Sequence, residues 1–376
     1  MSRLEQLIQQ HCPDGVEYKK LEDCCQILDN KRKPITKGAR VAGEYPYYGA
    51  NGVQDYVADY IFDGKYVLVG EDGSVITPSG TPVVNWAEGK IWVNNHAHII
   101  SEKEGVLLRY LFHYLQTVNI TPLIHGNIPK LTGGDFRALN IPVPPLPVQE
   151  EIVRILDNFA ELQAELQAEL QKRLQQYNYY RDKLLSFNDL NGGGYAVSVE
   201  WKKLGDVCEL GTGSHNTQDG LTEGQYPFYT RGSEVLYLND YDYDETAIIT
   251  AGDGAGVGKV FHFVKGKYAL HQRAYRIVPN EKDVLPRYVY YYIGATFYDY
   301  IMRNSVSSSV VSIRRPMMVN CPIPIPPLAE QKRIVDILDR FHALTTDITA
   351  GLPAEIEARR KQYEYYRDQL LTFKRM

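Results

Sequence analysis

No stretch of this chain approaches the ~18 consecutive apolar residues of a membrane-spanning helix. The opening MSRLEQLIQQ is amphipathic, without the apolar core of a secretory leader, so the expected compartment is the cytoplasm. Cysteine is sparse: Cys12, Cys24, Cys25, Cys208 and Cys321 are five in number and form no C-x-x-C pair. This argues against a disulfide framework and against the common zinc motifs, leaving buried reduced thiols as the reading. Positive charge is not in excess either. With 41 Lys and Arg against 46 Asp and Glu the net charge is −5, so any nucleic-acid surface has to be local. No G-x-S-x-G, H-E-x-x-H or paired-carboxylate pattern stands out, and no catalytic centre is expected. Tryptophan is rare, with three residues against 29 tyrosines. Most of those tyrosines suit half-buried positions, where the ring packs and the hydroxyl finds a partner.

What the chain does contain is a second copy of itself. IPVPPLPVQEEIVRILDNF at residues 141–159 returns as IPIPPLAEQKRIVDILDRF at 323–341, and QYNYYRDKLLSF at 176–187 returns as QYEYYRDQLLTF at 362–373. Weaker matches precede each block in the same order: VEYKKLEDCC with VEWKKLGDVC, then YPYYGANG with YPFYTRGS. Each copy therefore runs from a variable β-rich region, through a proline hinge that forbids helix, into a long amphipathic helix. The first helix carries AELQAELQAEL at 160–170, a period of four close to the ~3.6 residues of a helical turn. Leu162, Leu166 and Leu170 in the first copy, with Leu344, Ile348 and Leu352 in the second, are the expected packing positions; Pro353 is expected to kink or break the second helix. Adding or removing one such unit changes helix length by about 6 Å, which suits a spacer between two similar modules. The expected segments are 1–140, 141–190, 191–322 and 323–376: a module, a helical region, a module and a helical region.

In the modules, β-like runs such as KYVLVG and AIIT alternate with D-G-S, P-S-G and D-G-A-G turns, which predicts irregular twisted sheets and an α+β class. Candidate DNA contacts lie in the loops. KRKPITKGAR supplies Lys31, Arg32, Lys33, Lys37 and Arg40, and the G-A-N-G turn supplies Asn51. NNHAH, residues 94–98, offers Asn95 and His96; the second copy reads HQRAY, with Gln272 and Arg273 at the same places. Amide, imidazole and guanidinium groups can replace one another as readers of bases or phosphates but not as metal ligands, so no metal site is expected. HGNIPKLT adds Asn127 and Lys130, and the second copy adds Arg231, Lys259, Ser308, Ser309, Arg314 and Arg315. The loop Gly252–Gly258 looks like a phosphate cradle, but Val follows its Lys and a β-like run follows the loop, so a turn is the better reading.

Together, CPDGVEYKKLEDCC, the two P-P-L hinges, the A-E-L repeat and both Y-Y-R-D-x-L-L-x-F endings resemble the specificity subunit of type I restriction-modification enzymes. That resemblance implies two target-recognition domains joined by two long antiparallel conserved helices, coiled-coil-like and related by a pseudo-two-fold. Each domain is expected to read one half of a bipartite double-stranded DNA site. It further implies two modification subunits as partners, with restriction subunits joining through them. S-adenosylmethionine, ATP and Mg are then expected only in those partners, and this chain is expected to be non-catalytic. The central repeat is expected to set the gap between half-sites; Gln stands here where relatives have Thr, which leaves the leucine packing intact. Tyr179, Tyr180, Arg181, Tyr365, Tyr366 and Arg367 exceed what a helix pair can bury and are expected to dock the modification subunits. The competing readings are a protein-only coiled-coil adaptor and a nucleotide-dependent enzyme built on the glycine loop.

Overall fold

In the computed structural model of the chain, residues 2–187, 199–280, 282–304, 313–347 and 349–376 are described. They form two compact units, one from Met1–Gln167 with Glu355–Met376 and one from Ala168–Ala354.

The first unit opens with α1 (Arg3–His11), β1 (Glu17–Lys20), α2 (Leu21–Cys24) and β2 (Gln26–Ile27). Next come β3 (Ala42–Gly49), β4 (Gly52–Val57), β5 (Phe62–Gly70), β6 (Val84–Val93), β7 (Ala97–Ser101) and α3 (Leu108–Leu115). A short pair, β8 (Ile124–His125) and β9 (Lys130–Leu131), then α4 (Gly133–Arg137) and β10 (Asn140–Val143) lead into α5 (Leu146–Leu185). Six strands form one sheet in the order β2-β7-β5-β6-β3-β4, antiparallel except for a parallel β3–β6 pair. Strand β5 shows why this sequence makes a sheet covered on both faces. Its alternate residues Val67 and Val69 join the cluster built on α3 and α5, while Tyr66 and Leu68 join a second cluster with Ile91 and Ile99.

The second unit repeats the plan with β11 (Glu200–Lys203), α6 (Leu204–Val207), β12 (Cys208–Thr212), β13 (Tyr226–Tyr229), β14 (Val235–Leu238), β15 (Tyr243–Ala251), β16 (Phe261–Leu270) and β17 (Ala274–Pro279). There follow α7 (Pro286–Asn304), α8 (Arg315–Val319), β18 (Pro322–Ile325) and α9 (Leu328–Thr346); α10 (Leu352–Leu370) ends the chain's helices. The sheet order β12-β17-β15-β16-β13-β14 matches that of the first unit strand for strand, including the parallel β13–β16 pair.

Each proline hinge enters a two-stranded ladder, β1 with β10 and β11 with β18, where proline's missing N–H is tolerated at an edge. Directly after it, a fully buried glutamine latches the helix to its sheet module. Gln149 accepts from Leu107 N–H at 2.9 Å and donates to Gly105 and Pro144 carbonyls at 3.1 and 2.7 Å. Gln331 makes the same three bonds to Leu285, Asp283 and Pro326 at 2.9, 2.7 and 2.8 Å. An ion pair completes each latch, Arg109–Asp157 at 2.8 Å and Arg287–Asp339 at 2.7 Å.

Helix α5 is unbroken over 40 residues, about 60 Å at helical rise. Leu162, Leu166 and Leu170 are half-buried on it. The second copy is interrupted, as expected near Pro353, into two 19-residue helices, α9 and α10. The break precedes Pro353. Asp347 Oδ1 accepts from Thr349 and Ala350 N–H in an Asx turn, at 2.7 and 3.1 Å. Gly351 then sits so close to the end of α9 that a Cβ would lie 2.6 Å from the Ala343 carbonyl oxygen. Pro353 falls in the first turn of α10, where a missing N–H costs nothing. From Phe341 to Tyr363 the second copy is four residues longer than the first is from Phe159 to Tyr177, and the extra residues fall where one helix ends and another begins. Leu344 is exposed and Leu352 half-buried, while Ile348 lies outside the described residues.

Candidate nucleic-acid interface

Strand pairing gathers the candidate loops at one end of each sheet. Gly70 at the end of β5 pairs with Ala97 at the start of β7, and Tyr48 of β3 lies beside Val93 at the end of β6. The turns at 49–52, 71–74 and 94–96 are thereby neighbours. Thr36, Arg40, Tyr47, Gln54, Asn94, Asn95 and His96 line a cleft of about 440 Å³ there. The same pairing holds in the second unit, Ala251 with Ala274 and Tyr229 with Leu270.

At that sheet end the two units share a frame and differ in side chains. Asn94 Oδ1 accepts from His96 N–H at 2.8 Å; in the second unit His271 Nδ1 accepts from Arg273 N–H at 2.9 Å. The neighbouring turns are tied alike, Glu71 N–H to His96 C=O at 2.9 Å and Gly252 N–H to Arg273 C=O at 2.8 Å. One carboxylate stands at the same place in each turn. Asp72 bonds His96 Nδ1, while Asp253 holds Arg231 through one oxygen at 2.8 Å and Arg273 through the other at 3.0 Å. Burial would push the Asp253 carboxyl up, but hydrogen bonds and charge from the two arginines outweigh it and hold it below the usual range. His271 is held below its ordinary value, first by burial and then by the Arg231 charge, which keeps Nδ1 free to accept. Gln272 donates to Asn216 Oδ1 beside this turn.

Lys31, Lys33, Lys37, Asn51, Asn95, Asn127, Lys259, Arg314 and Arg315 are exposed, as loop contacts require. Lys130 is half in solvent with its Nζ 3.5 Å from Glu71. Arg32 and Arg40 are turned inward instead. Arg32, with 12% of its side chain exposed, bonds Glu71 at 2.6 Å and the Ala97 carbonyl at 2.6 Å. Arg40 stacks over the Tyr47 ring at 4.1 Å and bonds Asp55 at 3.1 Å. Basic residues in a run cannot be sorted into braces and free cations without knowing which loop carboxylates fold beneath them. Ser308 and Ser309 lie outside the described residues.

The two histidines of NNHAH engage different carboxylates, His96 bonding Asp72 and His98 bonding Asp29. His98 is buried, stacked on Phe136 at 4.2 Å, with Nδ1 on Asp29 at 2.7 Å and Nε2 on the Leu131 carbonyl at 3.1 Å. Asp29, Glu71 and His98 cluster closely enough to be ligands, but the Arg32 guanidinium already fills the charge between the two carboxylates. In the glycine loop, β16 and not a helix follows Gly258, so no helix N-terminus faces a phosphate. Asp72, Asp253, Gln54 and Asn94 were missed from sequence; the D-G pair closing each β run was the available signal for the two aspartates.

The helical Y-Y-R-D motifs form a second repeated surface. In the second unit Tyr179 and Tyr180 meet edge-on at 5.3 Å, Tyr180 stacks on Phe341 at 5.7 Å, and Arg181 lies over Tyr177 at 5.8 Å. In the first unit Tyr365 and Tyr366 meet at 5.4 Å, Tyr366 stacks on Phe159 at 5.6 Å, and Arg367 lies over Tyr363 at 5.7 Å. Tyr179 and Tyr365 remain 60% and 62% exposed.

The family model for the type I restriction modification DNA specificity domain matches residues 13–176 and again 197–358. A putative type I restriction enzyme specificity subunit of Haemophilus influenzae is 36% identical over 382 aligned residues, covering 95% of this chain and 96% of that one. The EcoR124I/EcoR124II specificity subunit of Escherichia coli is 36% identical over 71% of each chain. Among solved structures, the S subunit of a type I restriction-modification system from M. genitalium superposes with a TM-score of 0.61 at 15% identity, covering 95% of this chain and 96% of that one.

Proposed function

This chain belongs to the type I restriction-modification DNA specificity family, its role is DNA sequence specificity, and we propose how its parts divide that role. Each unit reads one half of a bipartite duplex site through the sheet end that carries residues 94–96 or 271–273. The observation behind this is the shared frame with exchanged side chains. Two modules that fold alike but read unlike half-sites must differ where they touch bases and agree in what holds those residues. The exposed basic residues near each sheet end, Lys33 and Lys37 in the first unit and Lys259, Arg314 and Arg315 in the second, suit phosphate contacts, which fix register without specifying sequence.

Helix α5 sets the number of unread base pairs, because one Q-A-E-L unit changes its length by about 6 Å, on the order of two base pairs. The two Tyr-Tyr-Arg surfaces dock modification subunits, one per unit. Adenine methylation and DNA cleavage then belong to the partner subunits, which hold S-adenosylmethionine, ATP and Mg, and this chain acts in the cytoplasm without a cofactor of its own. Neither competing reading is favoured: a protein-only adaptor has no use for exchanged polar side chains on a shared frame, and the glycine loop lacks the helix a nucleotide needs.

Methylation mapping in a host free of other adenine methylation tests the division of labour. With the cognate modification subunit co-expressed, one interrupted motif with two unlike halves is expected. A continuous motif, or two identical halves, overturns it.

A further inference from the structure

The arginine pair on Asp253 has no counterpart in the first unit. Position 231 is occupied there by the buried Ala50, by the match of YPYYGANG with YPFYTRGS, and position 273 by His96. Asp253 uses one oxygen for each guanidinium, and each arginine is engaged there through Nη1 alone. No other hydrogen-bond partner holds either guanidinium among the described residues, so most of their five donors stay available. Arg273 is 62% exposed and Arg231 40%. The backbone under Arg273 is fixed on both sides, its N–H by His271 Nδ1 and its C=O by Gly252 N–H. The result is a planar fork on a rigid turn, aimed by a carboxylate and open to solvent.

We propose that Arg273, aimed by Asp253, reads guanine in the major groove of the half-site belonging to the second unit. This rests on the reading that each sheet end faces one half-site. Guanine alone presents two acceptors, O6 and N7, side by side on its major-groove edge, and a guanidinium meets both with parallel N–H groups. The carboxylate argues against a phosphate grip. A pair of arginines evolved to hold a phosphate gains nothing from an anion fixed between them, whereas a base-reading arginine gains a defined orientation. In the first unit the same position carries an imidazole beside the amides of Gln54, Asn94 and Asn95, so that half-site does not depend on an arginine fork here.

The test uses the chain purified with its modification subunits and selection from a random duplex pool, for the wild type and for Arg273→Lys, Arg273→His and Asp253→Asn. The wild type is expected to select guanine at a position that both Arg273 variants relax by about ten- to a hundredfold. Asp253→Asn relaxes the same position less, and the other half-site and the spacer stay unchanged. Lysine is the informative replacement, because it keeps the charge and loses the fork. An unaltered preference in both Arg273 variants overturns the assignment. So does binding weakened evenly over all sequences and restored by lysine, which is the behaviour of a phosphate contact. So does a drop in melting temperature with the preference intact, which is the behaviour of a loop staple. His96→Ala marks the other half. If His96 and Arg273 variants alter the same half, or if the wild-type selection is not bipartite, it is the parent reading of one unit per half-site that fails.

Discussion

Replacing Gln149 by leucine keeps the volume and removes every polar contact of the latch between the first sheet module and α5. The loss can be worked from the geometry. Three hydrogen bonds of 2.9, 3.1 and 2.7 Å disappear, and Leu107 N–H, Gly105 C=O and Pro144 C=O lose their partner where the side chain is fully buried. At about 1 kcal/mol per neutral hydrogen bond the cost is about 3 kcal/mol, and more where an orphaned group stays dry. For a unit of this size that corresponds to a fall in Tm of roughly 6–12 °C. Gln149→Glu is expected to be at least as harmful, since it turns a carboxylate oxygen toward two carbonyls. Gln331→Leu should cost a similar amount in the second unit, because its three bonds are the same. Gln175→Leu, on an exposed position of α5, should stay within about 0.5 kcal/mol of the parent. Urea titration and thermal melting read all four. A Gln149→Leu loss below about 1 kcal/mol would show that the latch groups reach water, and the rigid joint would be refuted.

Mild acid should destabilise the chain. His113, His262, His271 and His342 all lie below the ordinary 6.5, chiefly through burial. The unfolded chain therefore binds protons that the folded chain refuses, so their contribution is fully present above about pH 6.5 and is lost as pH falls through the folded values. Melting temperature should drop between pH 7.5 and 5.5, above the range where the paired carboxylates Asp157 and Asp253 titrate, and a flat or rising profile contradicts this. Changing Tyr179, Tyr180, Tyr365 and Tyr366 to Ala should abolish co-purification with the modification subunits; the melting temperature should fall only through the lost Tyr180–Phe341 and Tyr366–Phe159 stacks, and Tyr179→Ala with Tyr365→Ala alone, whose rings are mostly in solvent, should leave it nearly unchanged. Intact co-purification would place docking elsewhere.

The repeated half, the proline hinges and the α+β class were legible in the sequence because each has a local cause. Proline forbids helix, glycine and aspartate close turns, and period-four leucines build one helix face. The strand order was not legible. The parallel β3–β6 and β13–β16 pairs join segments tens of residues apart, and no local signal announces such a crossover. The interruption between α9 and α10 was anticipated at Pro353, but Asp347 and Gly351 make it, and proline only starts the next helix. At the sheet ends, the exchange of His96 for Arg273 was readable by aligning the two copies. The carboxylates that aim them were not, because Asp72 and Asp253 lie over 20 residues and 20 residues away in the chain and meet them only through strand pairing.

Methylation mapping of a variant with one Q-A-E-L unit deleted from residues 160–170 addresses the central claim most directly, that α5 holds two independent readers at a set distance. Both half-site sequences should persist while the gap between them shortens by on the order of two base pairs. An unchanged gap, or a change in either half-site, would contradict the account.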